Sequence, residues 1–388
     1  MILILSQAHL EPSIEEVMDW IERLGGRCLR LNGEDFEGDA SLAFTLDGDG
    51  SRLRIEIGGE GDAALAVPLA EVRAVWFRRW LSQQRHEAAE LLDLPPPEGS
   101  PLDADPRLDY RLRSHLTRES RKLADFFFAS LAGRPWLSHP SRASPAKLDV
   151  LARAARLGLA IPATLLTTER DELMRFCGIL ARHRDDRGYR DHGGGPGPGG
   201  DRADRADRPD RRHAEVITKP IAEVELFVHG GRRHFMYTAA LDAAAVERLP
   251  ERFAPSLFQE RLDKACELRV FYLDGECHAM AIFSQRDPQT RVDFRNYNHE
   301  RPNRNIPYRL RPATAAALAR LMRELELATG SIDLIRTPDR HEVFLEVNPV
   351  GQFGMVSKPC NYHLERRMAE HLLRLAGDPP AGGMRGDA

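Results

Sequence analysis

The stretch FLEVNPVGQF, Phe344 to Phe353, decides how the rest of the chain is read. It begins like a buried strand, with Val343, Phe344, Leu345 and Val347 supplying apolar bulk. Glu346 and Asn348 sit two residues apart, so on a strand they project from the same face. Pro349 ends the ladder because it has no N–H to donate. A carboxylate and a carboxamide side by side offer two hard oxygen donors, which suits a cation such as Mg²⁺. An edge strand with a solvated polar face reads equally well from this fragment alone.

Working outward, SIDLI places Asp333 among apolar neighbours that would bury it. A buried carboxylate needs a cation, a metal or a dipole, and a plain salt bridge is the simplest of these. A turn at Thr337-Pro338-Asp339-Arg340 would make SIDLI and EVFLEVNPV a strand pair. Asp333, Glu346 and Asn348 would then reach one metal. Arginine outnumbers lysine 50 to 5, so each lysine raises the question of why it is not arginine. Lys219 closes the apolar strand VITK before Pro220, and Lys147 opens a helix after a loop. Lysine is a point charge on a flexible stem and reaches phosphate oxygens through a closing cleft. For Lys147 an ordinary exposed lysine is the simpler reading. Two early cations and three late oxygen ligands form the inventory that a nucleoside triphosphate with Mg²⁺ requires. No GxxxxGK[ST] loop is present and no GxGxxG follows the first strand, so side chains and a mobile lid would have to grip the phosphates.

The bulk numbers restrict the alternatives. A chain of 388 residues has room for two or three domains. With 42% hydrophobic and 29% charged residues it is expected to be soluble and globular. A net charge of −4 gives no electrostatic case for nucleic acid. MILILSQ is too short for a signal peptide, and no run approaches the roughly 20 apolar residues that span a bilayer. The five cysteines lie far apart with no CxxC pair, which favours reduced thiols in a cytoplasm. His139, His234, His278 and His299 lack metal-ligand spacing.

Periodicity predicts a strand over 1–7, a helix over 14–24 ended by Gly25-Gly26, and strands over 27–31, 51–57 and 72–77. A Pro-rich loop covers 92–106, and a long helix runs from Tyr110 to Leu131. Helices are expected from Lys147 to Gly158, over 169–182 and 313–329, and over 361–375. Strands fill most of 215–300. Residues 183–213, HGGGPGPGG followed by DRADRADRPDRR at their centre, are low in complexity and almost free of hydrophobes, so they are expected to be a disordered insert.

Six motifs, in this order, resemble those of the ATP-grasp superfamily of carboxylate–amine and carboxylate–alcohol ligases. They are KLDVLARAARLGLAIPATLLT, VITKPI, FQERLDKACELRVFYLDG, VDFRNYN, IDLI and FLEVNPVGQF, and they cover about residues 140–375. With VWFRRW (75–80) and the long helix before WLSHP, the chain looks more narrowly like the microviridin or graspetide macrocyclases of ribosomal peptides. The ending NPVGQFGMVSKPCNYHLERRMAEHL looks closest to the grasp-with-spasm peptide maturases.

That resemblance implies an α+β and α/β fold in three parts. Residues 1–140 would be a pre-ATP-grasp, substrate-side domain, 141–262 a central lid domain, 263–378 the catalytic domain, and 379–388 a disordered tail. The implied cofactors are ATP and Mg²⁺. The implied chemistry is activation of a side-chain carboxylate as an acyl phosphate, followed by attack of a hydroxyl or amine. By the same resemblance Lys147 and Lys219 would contact the phosphates. The backbone of Glu260 and Leu262 would hold adenine, and Glu267 the ribose. Arg269 and Arg295 would face the phosphate and acyl group, and Asn298 would orient the phosphates. Asp333, Glu346 and Asn348 would bind Mg²⁺, and Arg78 would belong to the substrate side. The implied partners are a precursor peptide with leader and core, a SPASM-type radical protein of the same pathway, and a second copy in a homodimer. A ligase adding free amino acids to a carboxylate would share this ATP site. A non-catalytic nucleotide-binding scaffold would have broken metal ligands, whereas all three are intact.

Overall fold

An apolar strand, an amphipathic helix and a second apolar strand open the chain, and a helix between two strands carries the second one back parallel to the first. The computed structural model describes residues 1–7, 11–33, 54–57, 65–80, 106–186, 216–222, 226–229, 232–235, 238–287, 290, 298 and 300–377. Strand β1 (Ile2–Ser6) pairs in parallel with β2 (Cys28–Asn32) and with β5 (Ala74–Phe77). A short β6 (Trp136–Leu137) joins β5, giving the order β2-β1-β5-β6. The helix Pro12–Arg23 has proline in its first turn and buries Ile14, Val17 and Ile21, one stripe of its surface. Gly25 ends it at φ +83°, a conformation open to glycine at no steric cost. Strands β3 (Arg54–Ile57) and β4 (Leu65–Pro68) form a separate ribbon, and the helix Pro106–Ser130 precedes β6.

The middle of the chain begins with the helix Lys147–Arg156 and β7 (Thr164–Glu169). The helix Arg170–Asp186 follows, so residues 183–186 continue a helix where the insert was expected to start. Residues 187–215 lie outside the described residues. Next come β8 (Val216–Lys219), the hairpin β9 (Leu226–His229) and β10 (Arg232–Phe235), β11 (Ala239–Leu241), a short helix Ala243–Glu247 and β12 (Arg252–Glu260). The antiparallel order is β11-β8-β12-β7. Val216 and Phe258 pack with Leu173 and Leu180 of the helix Arg170–Asp186. Strand alternation therefore turns Ile217, Lys219 and Gln259 to the opposite face.

The last part is a five-stranded sheet of order β15-β14-β13-β16-β17. Its strands are β13 (Cys266–Leu273), β14 (Glu276–Phe283), β15 (Arg304–Tyr308), β16 (Thr329–Arg336) and β17 (Glu342–Asn348). The helix Pro312–Glu324 ends five residues before the expected Thr329, because Glu326 takes the left-handed conformation at φ +55° and Thr329 already belongs to β16. Two elements had no sequence expectation. One is β15, whose Pro307 is tolerated because the strand lies at the sheet edge. The other is the helix Gly354–Cys360, which precedes the final helix Leu364–Leu375.

Both faces of this sheet are covered. Leu268, Val270 and Tyr272 pack with Val150 and Leu151 of the helix Lys147–Arg156 and with Leu318 and Leu321. Phe271 and Leu273, on the other face, join Ile2, Ile4, Ile14 and Ile21 together with Leu364, Met368 and Leu372. The first and last helices thus share one core. Residues 1–140 and 263–378, read separately in the sequence, build it together. Among the described residues no helix is long and apolar enough to cross a membrane.

Candidate functional site

Alternation along β13 places Glu267 and Arg269 on the same face as Phe271. In the ladder Arg269 stands opposite Asp333, Asp333 opposite Glu346, and Ser331 opposite Asn348. One sheet face therefore carries Glu267, Arg269, Asp333, Glu346 and Asn348 in three neighbouring strands. A register irregularity follows Asp333, between Asp333 and Leu334, and shifts the pairing of the residues toward Arg336.

This face looks across a cleft of about 240 Å³ toward β8 and β12. Lys219, Glu260, Leu262, Glu267, Asp333 and Glu346 all line the cleft, six of the residues singled out in the sequence. Ile217, Leu268, Leu334, Ile335 and Leu345 supply apolar wall. The segment Glu260–Lys264 connects β12 to β13 along one side, where an aromatic base would meet backbone groups and apolar side chains.

Charge pairing within the site is specific. Arg269 Nη1 donates to both Asp333 oxygens, at 2.7 and 2.6 Å. Lys219 Nζ lies 3.7 Å from Glu346 Oε2, so this ion pair spans the two sheets. Glu267 is buried and accepts from Lys264 and from the Ser284 hydroxyl. Lys264 was missed in the sequence, although its rarity in this arginine-rich chain was a usable signal. Gln259 and Gln285 also line the cleft and were likewise missed.

Other predicted residues sit elsewhere. Lys147 Nζ donates to the carbonyls of Pro220 (3.3 Å) and Ala222 (2.6 Å), tying the chain just beyond Lys219, and Lys147 does not line the cleft. Asn298 donates to Asp287 at 2.6 Å and accepts from the N–H groups of Glu300 and Arg301, which organises its own loop. Asn348 is exposed at the strand end, and its Oδ1 accepts from Val350 N–H at 3.1 Å. Arg295 lies outside the described residues. Arg78, expected on the substrate side, is buried against Glu11 and the carbonyl of Gly351.

The donor set fits Mg²⁺. Among the described residues no group of three His, Cys, Asp or Glu side chains converges on a metal position. Two facing carboxylates, with an amide oxygen two residues along the same face, is instead the sparse set Mg²⁺ takes when phosphates and water supply the rest.

Comparison with known proteins agrees with this geometry. Residues 1–91 match the family model of the MvdD pre-ATP grasp domain. No curated protein sequence matches the chain significantly. The fold is similar to that of the macrocyclase MdnC of Microcystis aeruginosa, solved with precursor peptide MdnA. The TM-score is 0.71 at 23% identity, over 96% of this chain and 99% of that one. It is also similar to a RiPP-associated ATP-grasp ligase of Chryseobacterium gregarium, solved with ADP and a leader and core peptide. There the TM-score is 0.73 at 21% identity, over 97% and 96%. The ATP-grasp ligase PsnB, solved with a minimal precursor, Mg and ADP, superposes with a TM-score of 0.63 at 17% identity, over 97% of each chain. This chain therefore has the ATP-grasp fold, and its N-terminal part carries a pre-ATP grasp domain of MvdD type.

Proposed function

We propose that the protein is an ADP-forming ligase that uses ATP and Mg²⁺ to join side chains of a ribosomal precursor peptide through ester or amide bonds. The observation that carries this reading is the register pair Asp333–Glu346, flanked by Arg269 and Lys219 in a cleft beside an MvdD-type domain. MdnC, PsnB and the Chryseobacterium ligase, whose fold the chain shares, were each solved with precursor or leader and core peptides.

In this reading a peptide carboxylate oxygen bonds to the γ-phosphorus of ATP, and the bond to the leaving ADP oxygen breaks. A hydroxyl or amine then bonds to the acyl carbon, phosphate leaves, and the nucleophile loses its proton. The carboxylate and the γ-phosphoryl group repel each other, and positive charge fixed in a water-poor cleft offsets that repulsion. Bound Mg²⁺ would supply Lewis-acid screening of the phosphates. Asp333, Glu346 and Asn348 would hold it. Lys219 would exchange its contact with Glu346 for phosphate oxygens, drawing the β8 sheet onto the catalytic sheet. Arg269 would keep Asp333 oriented and its second terminal nitrogen near the phosphate. Glu260 and Leu262 would hold adenine through backbone groups, and Glu267 the ribose. Lys147 would help bind phosphate after releasing its carbonyl partners, and Arg295 and Asn298 would act from the loop after β14.

The division into 1–140, 141–262 and 263–378 describes the working parts in this reading. Cytoplasmic location, a homodimer and a SPASM-type radical protein in the same pathway belong to it as well. The last rests on the NPVGQFG and CNYHLE segments of the ending.

The test is a mass spectrum of the small open reading frame encoded beside the gene, after incubation with the protein, ATP and Mg²⁺. ATP-dependent loss of one water per bond is the expected result. A mass gain equal to an amino acid would assign the chain to the amino-acid ligases instead. Tight ATP binding with no ADP formed in any mixture would leave only the scaffold reading.

A further inference from the structure

Arg78 follows directly on β5, and its N–H donates to the carbonyl of Leu5 at 2.9 Å. Its side chain is 1% exposed. One terminal nitrogen reaches Glu11 Oε2 at 3.2 Å, and both reach the carbonyl of Gly351, at 3.2 and 3.3 Å. The guanidinium carbon lies 5.7 Å from the ring centre of Trp76 and 5.6 Å from that of Phe353. Burial pulls the guanidinium below the ordinary arginine range, and the Glu11 carboxylate opposes this. A planar fork of donors can hold a carboxylate and a carbonyl together, which a lysine does poorly.

What Arg78 holds is a loop 273 residues away in sequence. Gly351 has no side chain for a local reason. A Cβ there would come within 2.5 Å of Ser331 Cβ, 2.6 Å of Ser331 Oγ and 3.2 Å of Arg269 Nη2. The loop is thus packed against the arginine that grips Asp333. The same loop carries Asn348. Gly351 N–H donates to the Asn348 carbonyl at 3.1 Å, Val350 N–H donates to Asn348 Oδ1, and the Ser331 hydroxyl donates to the Gln352 carbonyl at 3.2 Å. Moving Gly351 would therefore disturb Asn348 and Arg269 together.

We propose that Arg78 is a positioning residue for the metal- and phosphate-binding face, acting through Gly351 on Asn348 and Arg269. This rests on the ATP and Mg²⁺ reading above. Arg78 belongs to the N-terminal unit and contacts none of the cleft-lining residues itself. It fixes the end of β17 to that unit, so the catalytic face is complete only when the two are docked.

The test is calorimetric binding of the ATP analogue AMPPNP to the full chain, once with Mg²⁺ and once with EDTA. For Arg78→Met, the Mg²⁺-dependent gain in affinity is expected to fall about tenfold or more, the size usual for loss of a group that orients metal ligands. Affinity in EDTA should stay within about twofold, because the adenine side of the cleft is untouched. Arg78→Lys should recover part of the loss. Gly351→Ala should reproduce it with Arg78 intact, which keeps the test open if Arg78→Met does not fold. Equal losses with and without Mg²⁺, or an unchanged Mg²⁺ gain in a folded variant, would overturn the proposal. Wild-type protein that binds no AMPPNP in either medium would overturn the ATP reading, and this inference with it.

Discussion

Lys219 and Glu346 reach each other across the cleft, Nζ to Oε2 at 3.7 Å, from two different sheets. This contact places a lid cation and a metal-ligating carboxylate within one phosphate's reach. A group that leaves Glu346 for phosphate closes the cleft as it binds, since its strand must follow it.

Removing the carboxylate charge should therefore separate catalysis from folding. Glu346→Gln and Asp333→Asn are each expected to lower ADP release by about a hundredfold or more, in line with the loss of one charge-stabilising group. Circular dichroism should be unchanged. Normal turnover in either variant would sink the metal assignment.

Lys219→Met is expected to weaken AMPPNP binding in Mg²⁺ by about tenfold, and Lys219→Arg to restore less than half of that in free energy. Arginine brings the charge but not the compact ammonium on a flexible stem. Full restoration by arginine would mean that only charge matters at this position.

Gly351→Ala meets side-chain carbon at 2.5 Å in a packed setting. The expected cost is about 1–3 kcal/mol, read as a lower midpoint in urea unfolding. Ser331→Gly in the same chain removes both nearest atoms and should return most of that loss. If the double variant is no more stable than Gly351→Ala, the clash is not the cause.

Two buried histidines give stability a pH dependence. Burial pushes His371 and His278 below the ordinary imidazole range. Arg374 and Arg367 add to this effect, while Asp274 and Glu276 oppose it. A depressed folded pKa means that the unfolded chain takes up the proton first. The contribution to stability is complete above about pH 6.5 and is lost as pH falls from there through the folded values. His371→Gln should flatten the fall in melting temperature between about pH 7 and pH 5. An unchanged slope would exclude His371 as its source.

Deleting residues 190–212 removes only the Gly-, Pro-, Asp- and Arg-rich stretch and leaves every cleft residue in place. Nucleotide affinity and melting temperature are expected to stay near the parent values. A large loss of peptide modification alone would assign that stretch a substrate contact.

The legible part of the site was the part encoded locally. Glu346 and Asn348 announced a shared face by their spacing, and Asp333 announced itself as a carboxylate in an apolar strand. Their pairing followed from a single turn. Lys219 stood out because lysine is rare here. What could not be read depended on partners far along the chain. Asn298 looked like a ligand but spends its amide on Asp287 and on its own loop. Arg78 sat in a motif that suggested substrate, yet its partner Gly351 is set by tertiary packing that no spacing reveals. The helix Pro312–Glu324 was overdrawn because Leu325 and Leu327 keep an apolar pattern past the left-handed residue that ends it. The Gly354–Cys360 helix was missed because glycine begins it and Pro359 lies inside it.

The shared core of the first and last helices has a consequence during synthesis. Ile14 and Ile21 emerge from the ribosome roughly 350 residues before Met368 and Leu372, which cover them. For most of translation the opening sheet must wait with an uncovered oily side. The nascent chain is therefore exposed to chaperone capture and to premature stopping. A truncated product lacking the last helix should be sticky rather than merely inactive.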